Sequence, residues 1–264
     1  MSCSVAVSNS NVFSLSSPCH FSLPSPVLKR HRPAKLHIPV ASLTVEVLPP
    51  VPSPTPAKDV VEVEGIGFSV YCKKGIRKQM EDRYSASVNL HGESKQAFFG
   101  VFDGHGGTKA SEFAAHNLEK NVLEVIKSDY ESDIEEAVRN GYLKTDSDFL
   151  KEELNGGSCC VTTLIRNGNL IVSNAGDCRA VISRGEPETK VVKIESHHDL
   201  LILASDGLWE KVSNQEAVDI ARSFCVGSNT QGSFKACKKL VDLSASRGSI
   251  DDISIMIIEL QNYI

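Results

Sequence analysis

Acidic residues stand at the ends of several apolar runs in this sequence, and this placement suggests metal chemistry. The runs have the length and composition of β-strands, and the acids beside them are Asp103 after 97–102, Asp177 after 170–175, Asp206 after 200–205, and the Asp251-Asp252 pair before 253–258. Carboxylates gathered at one end of a fold repel one another unless a cation holds them. Oxygen ligands without His or Cys partners favour magnesium or manganese over zinc. The pattern therefore predicts a divalent-cation centre.

Each of these residues also has an ordinary structural interpretation. Asp-Gly and Gly-Asp pairs are common in turns, and an acidic pair beside a strand can simply keep its edge soluble. Taken alone, Glu81 and Asp82 form a solvated pair, Arg77 is a surface cation and His105 is a structural histidine. The joint occurrence of all of them in one order along the chain favours a functional site.

The elements that must position these residues alternate between strands and helices. Apolar and periodic runs predict strands at 68–72, 83–89, 97–102, 158–165, 169–174, 178–183, 190–194, 199–205 and 253–260, and helices at 108–127, 131–153, 213–225 and 233–246. Turn residues at 166–168 and 176–177 predict that three successive strands follow one another as hairpins. Because hairpins make antiparallel sheets, we predict an α+β fold in which helices flank an antiparallel β-sandwich.

Proline and charge divide the chain into two parts. Ten of the eleven prolines precede residue 57, and the first 45 residues contain four basic residues and no acidic ones. Such a segment buries too little apolar surface to offset its ordering entropy, so we assign residues 1–64 to a disordered leader and 65–264 to one folded domain. The whole chain has a net charge of −5, so the part after residue 45 carries −9. An acidic domain repels a phosphate backbone, which argues against nucleic-acid binding.

The sequence leaves the compartment partly open. No apolar run reaches the roughly 18 residues of a membrane span, and no continuous apolar segment resembles a secretory signal. The eight cysteines include no Cys-x-x-Cys pair, which favours free thiols in a reducing, intracellular compartment. The Ser-rich, acid-free start is typical either of a transit peptide, which would indicate a plastid, or of a leader without an address, which leaves the nucleus or cytoplasm. We expect a monomer.

Five motifs in this order resemble the protein phosphatase 2C family. They are Arg77-Lys78-Gln79-Met80-Glu81-Asp82, Val101-Phe102-Asp103-Gly104-His105-Gly106-Gly107, Asn174-Ala175-Gly176-Asp177-Cys178-Arg179-Ala180, Leu203-Ala204-Ser205-Asp206-Gly207-Leu208-Trp209 and Ser249-Ile250-Asp251-Asp252-Ile253-Ser254. The general likeness is to plant members of the family. The resemblance implies a metal-dependent serine/threonine phosphatase that acts on phosphoproteins.

The resemblance also implies a role for each matching residue. Two manganese or magnesium ions would be held by Glu81, Asp103, the Gly104 carbonyl, Asp206 and Asp251. Asp82 and Asp177 would support this cluster or hold a third ion. Arg77 would bind the substrate phosphate, because a guanidinium matches two phosphate oxygens, and His105 would protonate the leaving oxygen. Two such ions about 4 Å apart activate a water that attacks phosphorus, so no nucleophilic residue is needed.

One block of the family pattern is missing from this chain. After the strand at 178–183 such phosphatases continue with an Asp-His-Lys/Arg-Pro stretch, a flap beside the active site and further strands, whereas here Ser183-Arg184-Gly185 runs directly into Glu186-Pro187. We therefore expect an internal deletion near 185–186, without the flap and some strands. Lost strands would leave backbone groups unpaired, which is costly. Two hypotheses follow: an active phosphatase with impaired substrate selection, or a catalytically impaired splice or gene-model variant that only binds partners.

A basic segment of the leader resembles a kinase-docking motif. Lys29, Arg30 and Arg32 precede Leu36 and Ile38. Extended segments of this type pair positive charge with an acidic patch and place two apolar side chains in a groove. The resemblance implies a mitogen-activated protein kinase as partner or substrate. Basic residues are also common in disordered leaders, and this second interpretation stays open.

Overall fold

The computed structural model describes residues 3–6, 59–128, 134–184, 191–225 and 231–264. Its strands are β1 (Cys3–Ala6), β2 (Val60–Gly65), β3 (Phe68–Lys73), β4 (Arg83–Val88), β5 (Ala97–His105), β6 (Gly157–Arg166), β7 (Asn169–Ala175), β8 (Arg179–Arg184), β9 (Val191–Lys193), β10 (Leu200–Ala204) and β11 (Ile253–Glu259). Its α-helices are α1 (Lys109–Ser128), α2 (Ile134–Lys151), α3 (Asp206–Trp209), α4 (Asn214–Cys225) and α5 (Gly232–Ser246). Short 3₁₀ helices cover Leu90–Gly92 and Leu260–Tyr263. Within these ranges no helix combines the length and the apolar composition that crossing a membrane requires.

The strands form two antiparallel sheets. The first sheet has the order β1-β8-β10-β11-β3-β2, and the second has the order β4-β5-β6-β7-β9. The chain passes from one sheet to the other after β3, β7, β8 and β9. This architecture confirms the predicted α+β fold with antiparallel sheets.

The two sheets are stacked, and helices cover their outer faces. Val101 of β5 and Leu203 of β10 lie in the apolar core between the sheets. The neighbouring residue Ile202 points to the other side of its strand, where it packs with Leu240 of α5, because successive side chains of a strand alternate between faces. On the second sheet, α1 contributes Leu118 to the outer core. The layers are therefore helix, sheet, sheet and helix.

Local sequence signals explain where the helices on the first sheet begin and end. Ser213 Oγ accepts the Glu216 N–H at 3.3 Å, and the Glu216 carboxylate accepts the Ser213 N–H, which together make a capping box at the start of α4. After α5, Gly248 has a φ of 84°, and the Ser249 N–H donates to the Ser244 carbonyl at 3.2 Å. Glycine adopts this left-handed conformation without steric cost, so the helix ends there.

Of the two successive hairpins that the sequence predicts, one is confirmed and the other is wrong. β6 and β7 form a hairpin through Asn167 and Gly168, both with positive φ, as the turn sequence predicts. The next turn does not make a hairpin, because β7 pairs with β6 and β9 whereas β8 pairs with β10 and β1. At this turn Cys178 is buried between the sheets, so the chain crosses the sandwich there. A turn signal shows that the chain changes direction but not which sheet the next strand joins.

The folded part begins earlier than the leader assignment allowed, and it includes a segment near the start of the chain. β2 lies within the range 1–64 and pairs with β3. β8 is the last strand before the deletion expected near 185–186. It pairs with β1 along one edge and with β10 along the other. β9, the first strand after that block, pairs with the beginning of β7.

Candidate metal centre

The predicted site residues come from both sheets and meet at one end of the sandwich. Arg77, Glu81 and Asp82 lie in the connection from β3 to β4, Asp103, Gly104 and His105 end β5, Asp177 lies between β7 and β8, Asp206 follows β10, and Asp251 precedes β11. β10 and β11 are antiparallel neighbours in which Ala204 pairs with Ile255. The end of one strand and the start of the other therefore lie side by side, which brings Asp206 close to Asp251.

Arg77 donates hydrogen bonds to one group of predicted ligands. Its Nη1 donates to the Glu81 carboxylate and, at 3.3 Å, to the Gly104 carbonyl, and its Nη2 donates to Asp251 at 3.1 Å. Burial lowers the pKa of Arg77, but the hydrogen bonds with Glu81 and Asp251 outweigh burial and raise it. A single cation thus brings together three of the five predicted metal ligands.

Asp103, Asp206 and Asp177 form a second acidic group. Asp103 and Asp206 lie side by side, and Asp103 offers an oxygen within 4.8 Å of ligand atoms of Asp177 and Cys178. Burial, together with the charges of Asp82 and Asp206, raises the pKa of Asp103 to about 9. Burial and the charge of Asp177 raise the pKa of Asp206 as well. Close, buried carboxylates of this kind hold a proton when no cation is present.

The donor atoms of these two groups fit a hard divalent cation. Asp206 Oδ1 is buried and has no hydrogen-bond partner in the described structure, although a buried polar atom normally has one. The nearby Cys178 is a soft thiol, which hard cations bind less well than carboxylates, and burial raises the pKa of this thiol well above the ordinary value. Glu81, Asp103, Asp206, Asp251 and the Gly104 carbonyl are oxygen donors of the type that manganese and magnesium prefer.

Asp252 is a residue of the site that the sequence interpretation missed. Its side chain is 2% exposed, and its Oδ1 accepts the Gly75 N–H at 2.8 Å. Its Oδ2 accepts the N–H groups of Glu81 at 2.6 Å and Asp82 at 3.4 Å. Asp252 therefore fastens the segment that carries Arg77 and Glu81 to the start of β11. The acidic pair was visible in the sequence, but nothing there showed which of its two side chains points inward.

Asp82 belongs to the same buried network and faces the interior. Its Oδ2 accepts the Ser205 hydroxyl at 2.9 Å, and Ser205 Oγ accepts the Ser254 N–H at 3.0 Å. Burial and the charge of Asp252 outweigh the hydrogen bond from Ser205 and raise the pKa of Asp82 to about 7. The network joins three of the five motifs through hydrogen bonds, so it positions the acidic groups from the interior of the protein.

His105 stands at the exposed end of β5. It lies two residues beyond Asp103, and its imidazole lies against Gly157, where a Cβ would collide with the ring. A substrate that reaches the acidic groups could contact this ring without a rearrangement of the core. Asp177 is also exposed, at the rim of the second acidic group.

The fold and the acidic centre together define a layered α+β protein of the metal-dependent phosphatase class. A family model described as protein phosphatase 2C matches residues 66–186 and 184–253. The chain belongs to this family, whose members are protein serine/threonine phosphatases.

Relatives in plants share about half of the sequence. The chain is 49% identical to Probable protein phosphatase 2C 25 of Arabidopsis thaliana, covering 91% of this chain and 77% of that protein. It is 48% identical to Probable protein phosphatase 2C 2 of the same organism, covering 90% and 79% respectively. The crystal structure of serine-threonine phosphatase 2C from Toxoplasma gondii superposes with a TM-score of 0.59 at 21% identity, covering 76% of this chain and 98% of that chain. That likeness agrees with the fold.

These matches are interrupted at one point of the chain. The two parts of the family match meet at residues 184–186, between β8 and β9. The alignment with the first relative runs over 308 positions, which is more than the 264 residues of this chain. The relative therefore contains segments that have no counterpart here.

Proposed function

We propose that this shortened chain is a working phosphatase that removes phosphate from phosphoserine and phosphothreonine. The observation that supports this most is the convergence of Arg77 with Glu81, the Gly104 carbonyl and Asp251, next to the neighbouring carboxyls of Asp103 and Asp206. Two bound manganese or magnesium ions would supply an activated water and neutralise the phosphoryl oxygens. The remaining steps fall to side chains of this chain.

The acidic residues have two proposed roles: some are metal ligands, and others support that cluster or hold a third ion. Glu81, Asp103, Asp206, Asp251 and the Gly104 carbonyl are the proposed ligands. Asp82 supports them from the interior, because its carboxylate is buried against Ser205. Asp177 lies exposed at the rim, which suits a more weakly held third ion.

Arg77 is the proposed phosphate-binding residue. Its guanidinium is partly exposed and now satisfies Glu81 and Asp251. Cations held by those carboxylates would compete for them, which leaves the guanidinium donors available for two phosphate oxygens. His105, exposed on the same strand as Asp103, is the proposed general acid that protonates the leaving oxygen.

Hydrolysis of p-nitrophenyl phosphate by the purified full chain tests this proposal. We expect turnover with manganese, no turnover with a chelator, and a loss of at least about 100-fold in the Asp206→Asn variant, since a lost metal ligand removes several kcal/mol of transition-state stabilisation. No turnover from a cooperatively folded, manganese-loaded chain would contradict the proposal and favour the binding-only alternative. Failure to fold would indicate a defective transcript or gene model.

The binding-only alternative is a catalytically impaired variant that engages partners through its leader. The interruption of the family match at 184–186 favours it. The docking residues Lys29, Arg30, Arg32, Leu36 and Ile38 lie outside the described residues. We propose a mitogen-activated protein kinase as the partner in either case. Binding of such a kinase should be lost when the three basic residues are changed to Ala, and unaltered binding would overturn this proposal.

Location is a separate proposal, because the start of the chain also lies largely outside the described residues. A fluorescent protein fused after residue 64 should enter plastids if the leader is a transit peptide. Diffuse fluorescence in cytoplasm and nucleus would support the leader without an address.

A further inference from the structure

Two isoleucines beside the predicted phosphate-binding residue are strongly exposed. Ile76 is 76% exposed and Ile250 is 64% exposed. They directly precede Arg77 and Asp251 in the sequence, and these two residues are hydrogen-bonded to each other at 3.1 Å. The isoleucines therefore lie at the entrance of the candidate site.

Backbone contacts hold the two isoleucines side by side. The Ile76 N–H donates to the Ile250 carbonyl at 2.9 Å. Gly75 lies so close to the same segment that a Cβ on it would collide with the Ile250 carbonyl oxygen. The backbone therefore fixes this arrangement. Both side chains are exposed, so neither has a packing role in the core.

Exposed apolar residues are common and do not by themselves indicate a binding site, but their surroundings can indicate one. Binding sites combine apolar surface with a few polar groups that converge on one point. Here the apolar surface is continuous with Arg77, which is the group proposed to bind phosphate. An acidic side chain placed against the two isoleucines would lose hydration without gaining a partner, because Arg77 is occupied by the phosphate.

We infer that Ile76 and Ile250 form a contact surface for an apolar side chain next to the phosphorylated residue of a peptide substrate. This inference rests on the proposed function, because Arg77 must hold the phosphate. Consecutive Cα atoms are 3.8 Å apart, so a side chain that flanks the phosphorylated residue lies within reach of the surface beside Arg77. The preferred neighbour is aliphatic or aromatic, and an acidic neighbour is excluded.

The test compares phosphothreonine peptides that differ only in the residues flanking the phosphorylated one. Binding of peptides with Leu, Ser or Glu flanks to the manganese-loaded full chain is measured by fluorescence anisotropy, which does not require turnover. We expect the wild-type chain to bind the Leu peptide about threefold to tenfold more tightly than the Ser peptide, and the Glu peptide most weakly. In Ile76→Ala and Ile250→Ala the preference for Leu over Ser should fall to near one, because each change removes apolar surface that the bound Leu side chain would cover.

Ile66→Ala is the matched control. Ile66 is also 76% exposed, but it precedes β3 at the end where Phe68 pairs with Ile258, whereas Ile76 follows the end where Lys73 pairs with Ile253. The Leu preference should persist in this control. A wild-type chain that binds the Leu and Ser peptides equally, a preference that survives in both Ile→Ala variants, or a change of oligomeric state in those variants would overturn the inference. Hydrolysis of p-nitrophenyl phosphate by the same preparation reports separately on the proposed function, because that small ester has no flanking residues.

Discussion

The two ends of the sandwich differ in how they are built. At the site end, the acidic groups and Arg77 come from five separate parts of the chain, and buried hydrogen bonds through Asp252 and Ser205 link three of them. At the other end, β8 stops at Arg184 and the three-residue strand β9 pairs with the beginning of β7. We call this second region the junction end.

The difference shows why a deletion can spare the site residues. β8 starts next to Asp177 and runs for six residues away from the acidic groups, so the junction begins about 20 Å from them. All proposed metal ligands lie at the site end, away from the junction. We propose that the segment absent at 184–186 includes the flap beside the site, so its loss should affect substrate selection more than metal binding.

The largest expected effect comes from Asp103, at the site end. Asp103→Asn should lower kcat/KM for p-nitrophenyl phosphate by at least about 100-fold, because a proposed ligand is lost. The same variant should unfold at a higher temperature than wild type in the presence of a chelator. Folding forces the wild-type carboxyl to take up a proton, as its raised pKa of about 9 indicates, whereas asparagine is neutral in both states. The matched change at the junction end is Lys193→Gln in β9, which is exposed and should leave both quantities unaltered. Equal losses in the two variants would contradict the separation of the two ends.

A second effect concerns the hydrogen bonds that fasten the site end. Asp252→Ala leaves three N–H groups without their acceptor and should lower the free energy of unfolding by about 3 kcal/mol, whereas Asp252→Asn keeps one acceptor oxygen and should cost about 1 kcal/mol. Urea denaturation with manganese measures both.

Asp199 provides the comparison at the junction end. It precedes β10 and forms a partly exposed ion pair with Arg222 at 3.3 Å. Such pairs contribute about 0–1 kcal/mol, so Asp199→Asn should change stability little. If it costs as much as Asp252→Ala, the site end is not the more tightly bonded one.

Much of this fold could be predicted from local sequence, because strands and helices follow from apolar periodicity. The predicted strand 97–102 is observed as β5, which continues three residues further because Asp103, Gly104 and His105 stay paired with β6. The predicted helix 233–246 is observed as α5. Strand partners could not be predicted in the same way, since pairing is decided by the packing of both sheets and not by the turn between two strands.

The residues of the candidate site also fall into those that the sequence could predict and those that it could not. Glu81, Asp103 and Asp251 were visible because they belong to motifs with a fixed order. Asp252 and Ser205 were not visible as positioning residues, because their importance depends on buried N–H groups and hydroxyls that are far away in the sequence. Ser205 carried one weak signal, as a polar residue that closes an otherwise apolar strand.

The stability of the metal-free protein should depend on pH because of the buried carboxyls at the site end. The raised pKa values of Asp103, about 9, and Asp82, about 7, mean that the folded protein binds more protons than the unfolded chain above the ordinary carboxyl pKa of about 4. Its free energy of unfolding should therefore fall as the pH rises from about 4 to about 9. Manganese should reverse this trend, because it binds the deprotonated carboxylates. Thermal unfolding at pH 5, 7 and 9, with chelator or with manganese, measures the trend, and stability that rises with pH in chelator would show that these carboxyls are not buried together.

The smallest expected effect lies at the junction end, where β1 bonds to the edge of β8. Four residues of antiparallel pairing contribute about 0.5–1.5 kcal/mol for each hydrogen bond, but the 53 residues between Ala6 and Val60 must be closed into a loop at a cost of about 3 kcal/mol. The two terms nearly cancel, so removal of residues 1–8 should lower the free energy of unfolding by about 1 kcal/mol or less and leave kcat unaltered. Val5→Pro, which removes one donor, should reproduce part of that change. A loss of several kcal/mol on truncation would show that the start of the chain is an integral strand, and the transit-peptide interpretation, which requires its removal, would then be untenable.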